Sequence, residues 1–421
     1  MDHLHTAGFQ KLTEVDRALG ILSEALGDRA VRLELLSVQR ALGRCLGKDV
    51  VADQYLPPVD RSVMDGYAVR VEDVKSASQE NPVTLQVIGE SRLGVLPRMH
   101  VGEGEAVVVA TGSIVPSGAD TVVIVERTTR LSSSSIAVHA SATVGQNIAK
   151  KGEDVALGAV VLRKGAMLRP QDIAMLKALG LAKVYVSRKP RVAVLSTGNE
   201  LVDSISRYNV AKVVDINRTM LFCMLRELGA DAVDLGIVKD REASIKTALK
   251  KGLKTCDAVI VSAGSSVGGR DLVPRCVNRL GKPGMLVHGV AMRPAMPTGL
   301  AVVNGKPVFS LPGFPVSAFF AFRTFVRPII AKILGVKELF EPTANAVLSE
   351  TITGTPGIRT YVRVTIRRNE RGLVAEPLKL QRSSVLMSMV KANGIVTIPE
   401  EVTAIGRGET VTVMLVGKTS F

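Results

Sequence analysis

Three acidic side chains and a few short loops rich in Gly, Ser and Pro carry most of the chemistry this sequence offers. The string "VSAGSSVGGRDLVP" (261–274) follows the apolar run "DAVIV" and brings Gly264, Ser265, Ser266 and Gly268 ahead of Asp271. "VLSTGNEL" supplies Ser196, Thr197, Gly198 and then Glu200; "VVDINRTML" supplies Asp215; "VFSLPGFPVSA" supplies Pro312, Gly313 and Pro315. Glycines let a backbone approach a ligand closely, and their N–H groups with serine hydroxyls can point at an anionic oxygen. Carboxylates gathered beside such a loop suggest a bridging Mg²⁺, which takes oxygen ligands and is completed by substrate phosphates. Each feature also has a plain reading. The 263–269 string serves as an ordinary βα turn, and Asp215 is a natural N-cap for a helix beginning near Asn217. The string is neither a Walker loop nor a dinucleotide-binding glycine motif.

These groups act together only if the fold gathers them, and the surrounding pattern predicts how. "RVAVLS", "AVDLGIV", "DAVIVSAG", "MLVHGV" and "PVFSLPG" read as strands; "NRTMLFCMLRELG", "REASIKTALKKG", a shorter segment and the run after Pro315 read as helices. Strands alternating with helices imply right-handed crossovers and a doubly wound, mainly parallel sheet. Ligands of such sheets sit beyond the carboxyl ends of the strands, where all the loops above fall. Before this region, "VDRALGILSEAL" and "LLSVQRALGRCL" space their apolar residues as helices do. "VTLQVIGE", "EAVVVATG", "DTVVIVERT" and "SIAVHA" then predict a small, mostly antiparallel β domain, with "SSSS" (132–135) as a hairpin tip. "PQDIAMLKALG" predicts a further helix, and "YVRVTI", "LVAEPL", "GIVTIP" and "ETVTVMLV" a second small β domain.

Composition narrows the function classes. The 421 residues exceed one ordinary core, so two to four domains are expected. A net charge of +15, from 54 Lys+Arg against 39 Asp+Glu, favours an anionic partner or substrate. Basic residues are scattered, there is no Trp and aromatics are 4%, which argues against nucleic acid. Four separated cysteines form no CxxC pair, so neither a zinc knuckle nor a redox motif is expected. The amino-terminal stretch has no signal-like apolar segment, and "VSAFFAFRTFVRPIIAKIL" is interrupted by Arg323, Arg327 and Pro328. A cytoplasmic protein without a membrane partner is the expectation.

Eight segments in order carry a resemblance: "SVMDGYAV", "ATGSIVPSGADTVVIVE", "GQNIAKKGEDV", "STGNEL", "DINRTML", "SAGSSVG", "LPGFPVSA" and "KANGIVTIP". The chain resembles the molybdopterin molybdenumtransferases, the MoeA proteins related to the C-terminal domain of gephyrin, over nearly its whole length. The resemblance implies an elongated homodimer of four-domain subunits. A discontinuous dimerisation domain is expected from 1–49 and 146–185, with a β domain inserted at 50–145. An α/β molybdopterin-binding domain at 186–335 and a C-terminal β-barrel-like domain at 336–421 would follow. It implies Mg²⁺-dependent insertion of molybdate into adenylated molybdopterin with release of AMP, the substrate coming from a molybdopterin adenylyltransferase. Carried over residue by residue, it assigns catalytic roles to Asp65, Thr111 and Asp154 beside Asp271. It places Glu200, Asp215 and Asp271 on the metal, and Arg293, Arg359 and Ser383 about the substrate.

The departures from the family pattern cluster at the expected site. Gly269 and Arg270 stand where an acidic residue is usual, and "RPAMP" (293–297) puts Ala295 and Met296 where the family has Gly and Lys. Ala149 replaces an Arg, and Arg382 a Gly. Losing a charge-assisted hydrogen bond to an oxyanion costs about 1.5–3 kcal/mol, which Arg270 or Arg382 can restore from another direction. Three outcomes follow: molybdate insertion with relocated charges, a preference for tungstate, or a divergent paralogue with weak activity. The alternative function is a non-catalytic carrier or scaffold that holds the pterin.

Overall fold

The computed structural model describes residues 12–262, 272–336, 340–370 and 372–416. They form two compact units. One contains the described residues through Glu34, Gly43–Gly47 and the described residues from Val186 on; the other contains Leu35–Leu42 and Lys48–Tyr185.

The first helix, α1 (Val15–Leu26), buries Val15, Ala18, Leu22 and Leu26, a spacing that keeps one face apolar. The helix expected from "LLSVQRALGRCL" does not form. Leu33–Ser37 is a strand and Val38–Arg40 a single 3₁₀ turn. Val38, Ala41 and Cys45 are still buried at three- and four-residue spacing, which is what mimicked a helix. Gly43, at φ 68°, turns the chain left-handed inside the run and prevents one.

The second unit is built on a six-stranded sheet of β1 (Gly66–Val69), β2 (Val83–Ser91), β3 (Glu105–Val109), β4 (Thr121–Ile124), β5 (Thr128–Arg130) and β6 (Ser135–Val138). Their spatial order is β4-β1-β3-β2-β6-β5, with only β2 and β3 parallel. Residues 132–135 form the tip between β5 and β6. Helix α2 (Pro170–Ala178) starts at Pro170, which needs no N–H there, and Gly180 follows at φ 76°.

The sheet of the first unit comprises β7 (Arg191–Thr197), β8 (Asp231–Val238), β9 (Ala258–Ser262), β10 (Pro283–His288), β11 (Gly299–Val303) and β12 (Lys306–Leu311). In the order β8-β7-β9-β12-β11-β10 the first three pairings are parallel and the last two antiparallel. "GLAVV", not anticipated as a strand, is β11. It reverses into β12 through Asn304 and Gly305 (φ 49° and 75°), the two left-handed residues of a tight hairpin. Helices α3 (Ile216–Glu227) and α4 (Glu242–Thr255) cover opposite faces. Val192 and Val194 of β7 pack with α1 and α3, while Ala193 and Leu195 pack with α4 and α5 (Leu272–Asn278). A strand buried on both sides has no polar face to alternate, hence the continuous apolar runs. The run after Pro315 is α6 (Pro315–Ala321), a π turn at Phe322–Val326 and α7 (Arg327–Leu334).

Beyond it, β13 (Thr343–Leu348), β14 (Arg359–Asn369), β15 (Gly372–Pro377), β16 (Gly394–Ile398) and β17 (Thr410–Leu415) close on themselves, because β14 pairs with both β15 and β16. Val364, Ile366, Val396 and Val413 fill the interior. Met292 and Arg293 add a parallel pairing to β14 at Arg359 and Thr360. Among the described residues no helix is long and apolar enough to cross a membrane.

Candidate functional site

The carboxyl ends of β7, β9 and β12 stop level with one another: Ser196 is paired with Ser262, and Ser262 with Leu311. The order β8-β7-β9 reverses direction between β7 and β9, so the loops leaving them diverge and open a crevice. It has a volume of about 920 Å³ and is lined by Thr197, Glu200, Asp215, Pro312, Gly313 and Pro315, all anticipated from sequence. Ser196 lies beneath it, fully buried, its hydroxyl without a hydrogen-bond partner among the described residues. Gly198 is a close-approach position: a Cβ there would lie 2.7 Å from the Glu200 carboxylate. Gly264, Ser265, Ser266, Gly268 and Asp271, together with Gly269 and Arg270, lie outside the described residues. Their flanks, Ser262 and Leu272, line the crevice.

Sequence reasoning passed over two polar residues here. Asn217, in the first turn of α3, donates its amide to Ser262 Oγ (3.0 Å) and Gly313 O (2.8 Å), tying three loops together. Its Oδ1 is buried without a partner among the described residues. Asp240 follows β8 and also lines the crevice. Burial raises its carboxyl above the ordinary value and the charge of Glu200 pushes it further. Asp240 could have been found by applying the strand-end rule to "AVDLGIVKD" as well as to the glycine-rich loops.

Asp215 has structural work of its own. It caps α3 by accepting from the Arg218 amide (3.3 Å), and its Oδ2 lies 3.1 Å from Arg218 Nε without an aligned hydrogen bond. Arg218 also holds Asp203 (2.7 Å) and Asp234 (2.8 Å), so the loop before α3 is tied to the sheet through one guanidinium. Burial opposes that charge, but Asp234, Asp215 and Asp203 outweigh it and raise the guanidinium above its ordinary value. Among the described residues no three His, Cys, Asp or Glu side chains are clustered to hold a metal. Asp271, the third carboxylate of the expected set, lies outside the described residues, and Asp215 shares its carboxylate with Arg218. Glu200 and Asp240 are the pair whose mutual repulsion a cation would relieve.

A second cavity, about 400 Å³, is lined by Arg293, Thr360, Gln381 and Arg382 among others. The same two segments border both cavities: Arg293 and Arg382 face this one, while Pro297 and Ser384 face the crevice. Ser383, between them, accepts the Val316 amide through its carbonyl (3.3 Å) and so fixes the segment to α6. Ala295, which replaces a family glycine, takes φ 90°, a backbone state glycine adopts more easily. Beside Arg382 lies Arg363, wholly buried. Its Nη2 reaches Arg382 O at 3.5 Å, while Nε and Nη1 have no partner among the described residues. Burial pushes this guanidinium down to about 10.

Arg359 does not face either cavity. It is held by Asp16 (2.7 and 3.0 Å) and by Glu400 (3.0 Å). Both acids occupy its guanidinium.

In the second unit, Asp65 Oδ1 accepts both the amide (2.7 Å) and the hydroxyl (3.0 Å) of Thr111. These bonds hold the exposed carboxyl below its ordinary value. Gly66 must be glycine, because a Cβ there would lie 2.0 Å from Val123 O. Asp154 is exposed, with its amide on Leu56 O (3.1 Å).

The match to known proteins runs along this same frame. Residues 13–180 match the MoeA N-terminal region (domain I and II), 193–332 the family described as "Probable molybdopterin binding domain", and 345–416 the MoeA C-terminal region (domain IV). The molybdopterin molybdenumtransferase of Bacillus subtilis is 34% identical over 386 residues, 91% of this chain and 90% of that protein. The chain belongs to the molybdopterin molybdenumtransferase (MoeA) family. Molybdopterin molybdenumtransferase 2 of Mycobacterium tuberculosis is 35% identical, over 90% of this chain and 94% of that protein. The solved MoeA protein of Pyrococcus horikoshii OT3 superposes with a TM-score of 0.84 at 34% identity, covering 96% of this chain and all of that one. Like that MoeA structure, this family member is multidomain, with mixed sheets and helices.

Proposed function

We propose that this chain is a molybdopterin molybdenumtransferase of molybdenum cofactor biosynthesis. It takes adenylated molybdopterin and molybdate, breaks the link to the nucleotide and releases AMP. The observation that carries this reading is the convergence of Thr197, Glu200, Asn217, Asp240 and the Pro312–Gly313 turn on one crevice at the carboxyl ends of the strands. Turn and strand-end amides suit phosphate oxygens. The Asn217 amide holds the turn through the Gly313 carbonyl, so the turn is organised before substrate arrives. Exposed apolar Phe314 and half-buried Leu272 offer surface to the pterin.

Glu200 and Asp240 would hold Mg²⁺, with Asp271 as the third carboxylate of the reading. The raised Asp240 carboxyl fits a site built for a cation. When bound, the ion would neutralise phosphate charge and polarise the phosphoanhydride. Asp65, kept ionised by Thr111, and Asp154 act on the nucleotide end, and the working form is a homodimer. A doubly wound α/β domain, two small β domains and a discontinuous elongated dimerisation domain complete the proposal. The protein is cytoplasmic, does not bind nucleic acid and receives its substrate from a molybdopterin adenylyltransferase.

The oxyanion enters by the second cavity. Arg293 and Arg382 line it and Arg363 supplies buried charge beside it, which offsets the Lys that Met296 replaces. Full-length protein incubated with adenylated molybdopterin, Mg²⁺ and molybdate is expected to release AMP. Absence of AMP above a no-enzyme blank, with folded protein and intact substrate, overturns the reading. Parallel reactions with tungstate measure the oxyanion preference. The departures Met296 and Arg382 also favour a carrier that binds pterin without turnover. Under that reading Asp271→Ala leaves the rate of AMP appearance unchanged, whereas the transferase loses it.

A further inference from the structure

The amino ends of the same parallel strands carry an opposite kind of surface. Arg191 begins β7, Asp257 immediately precedes β9 and Lys306 begins β12. A cavity of about 320 Å³ opens there, lined by Arg29, Arg32, Arg188, Lys306 and Asp257. At about 3.3 Å per residue, the seven residues of β7 put it roughly 20 Å from the crevice. It shares no lining residue with either cavity described above.

The charges do not balance. Asp257 is the one carboxylate in the lining, and it is already taken by Arg188 (3.2 Å), Arg32 (3.4 Å) and the Arg191 amide (2.9 Å). Lys306 Nζ donates to Leu253 O and to Cys256 O (2.8 Å), at the carboxyl end of α4. Arg29 makes no hydrogen bond or ion pair among the described residues. It lies against the hairpin turn, where a Cβ on Gly305 would come within 3.3 Å of its Nη2. Burial lowers this guanidinium below its ordinary value; Asp257 opposes that shift and the Arg32 charge adds to it. Four cations thus face one spoken-for carboxylate in a concave, half-buried setting. A guanidinium fork matches phosphate oxygens in geometry and charge. The remaining wall is Ala30, Pro190, Asn304 and Ile333, with no aromatic ring for a base to stack on.

We propose that this cavity is a separate binding site for a compact phosphate-class polyanion, with Arg29 and Arg32 supplying its free donors. The inference does not depend on what the crevice does.

Isothermal titration of the full-length protein with pyrophosphate, and separately with inorganic phosphate, tests it. Pyrophosphate is expected to bind saturably, and more tightly than phosphate because it spans more of the donors. Affinity is expected to fall as salt shortens the screening length from about 10 Å toward about 3 Å. Arg29→Gln/Arg32→Gln is expected to weaken pyrophosphate at least about tenfold, the loss of one charged contact. Ala30→Glu, which adds a carboxylate at an exposed wall position and leaves the Asp257 contacts intact, is expected to do the same. Arg382→Gly, in the other basic cavity, is expected to leave this binding unchanged. Absence of saturable binding overturns the proposal. So does wild-type affinity in whichever of the two cavity variants is folded by circular dichroism, or loss of binding in Arg382→Gly alone.

Discussion

Replacing Arg363 by Met is expected to stabilise the protein while removing its response to oxyanion. The guanidinium is fully buried and makes one marginal contact, 3.5 Å to Arg382 O, leaving Nε and Nη1 unpartnered among the described residues. An unsatisfied buried donor costs about 1–3 kcal/mol. The depressed guanidinium gives a second measure. Burial holds it down at about 10, more than two factors of ten below its ordinary value. At about 1.4 kcal/mol per factor of ten, discounted for partial screening, the charged form carries a penalty of about 3 kcal/mol. The sign follows from the direction. The folded state binds this proton less tightly than the unfolded state, so the penalty is fully present below pH 10 and fades only above it. Methionine keeps much of the apolar stem and removes every donor. After allowing for imperfect packing, a gain of about 2 kcal/mol is expected, within the range seen when buried charges are replaced by apolar groups. At about 2–4 °C per kcal/mol for a unit of this size, the calorimetric transition should rise by roughly 4–8 °C in oxyanion-free buffer. Adding molybdate should raise the wild-type transition and leave the variant's unmoved. A variant that melts at or below wild type, yet is stabilised by molybdate as the wild type is, would refute the reasoning.

Asp215→Ala removes an N-cap and the buried partner of Arg218, and should cost about 1–2 kcal/mol in denaturant unfolding, with Arg218 still held by Asp203 and Asp234. Asp240→Asn should raise the melting temperature at pH 7. The folded-state carboxyl is raised, so its ionisation opposes folding progressively as pH climbs past the ordinary carboxylate range. The variant's stability should therefore fall less with pH, while AMP release drops and no longer responds to Mg²⁺. Gly66→Ala should cost more than about 3 kcal/mol, because the clash is with backbone of the neighbouring strand and no rotamer escapes it. Loss of protease resistance in residues 48–185 would report it, and a wild-type digestion pattern would contradict the geometry.

The α/β region was readable because burial on both faces leaves its strands as unbroken apolar runs with glycine and proline at their ends. Those ends are also where ligand loops must fall, so Thr197, Glu200 and Gly313 could be named before any coordinates. Periodicity failed at "LLSVQRALGRCL", where burial at helical spacing is produced by a strand, a 3₁₀ turn and a left-handed glycine. It also missed "GLAVV", whose pairing is set by the turn that follows it. Asp240 carries no motif, and Asn217, though it sits in "DINRTML", reads only as the start of a helix; the roles of both arise from convergence in space. Arg363 reads as an outward strand residue, and only the enclosing surface reveals it as a buried charge. Arg359 shows the converse: a residue matched to a family position is engaged by Asp16, 343 residues earlier.

That last contact constrains how the protein is made. The apolar face of α1 finds its place against β11 and β10, and Asp16 finds Arg359, only after some 260–340 further residues exist. At about 5–20 residues per second of synthesis, Val15, Ala18 and Leu22 wait without their partners for on the order of 15–60 s. A nascent chain stalled before β11 should therefore leave this first helix open to holdase chaperones, and release of the stall should bury it.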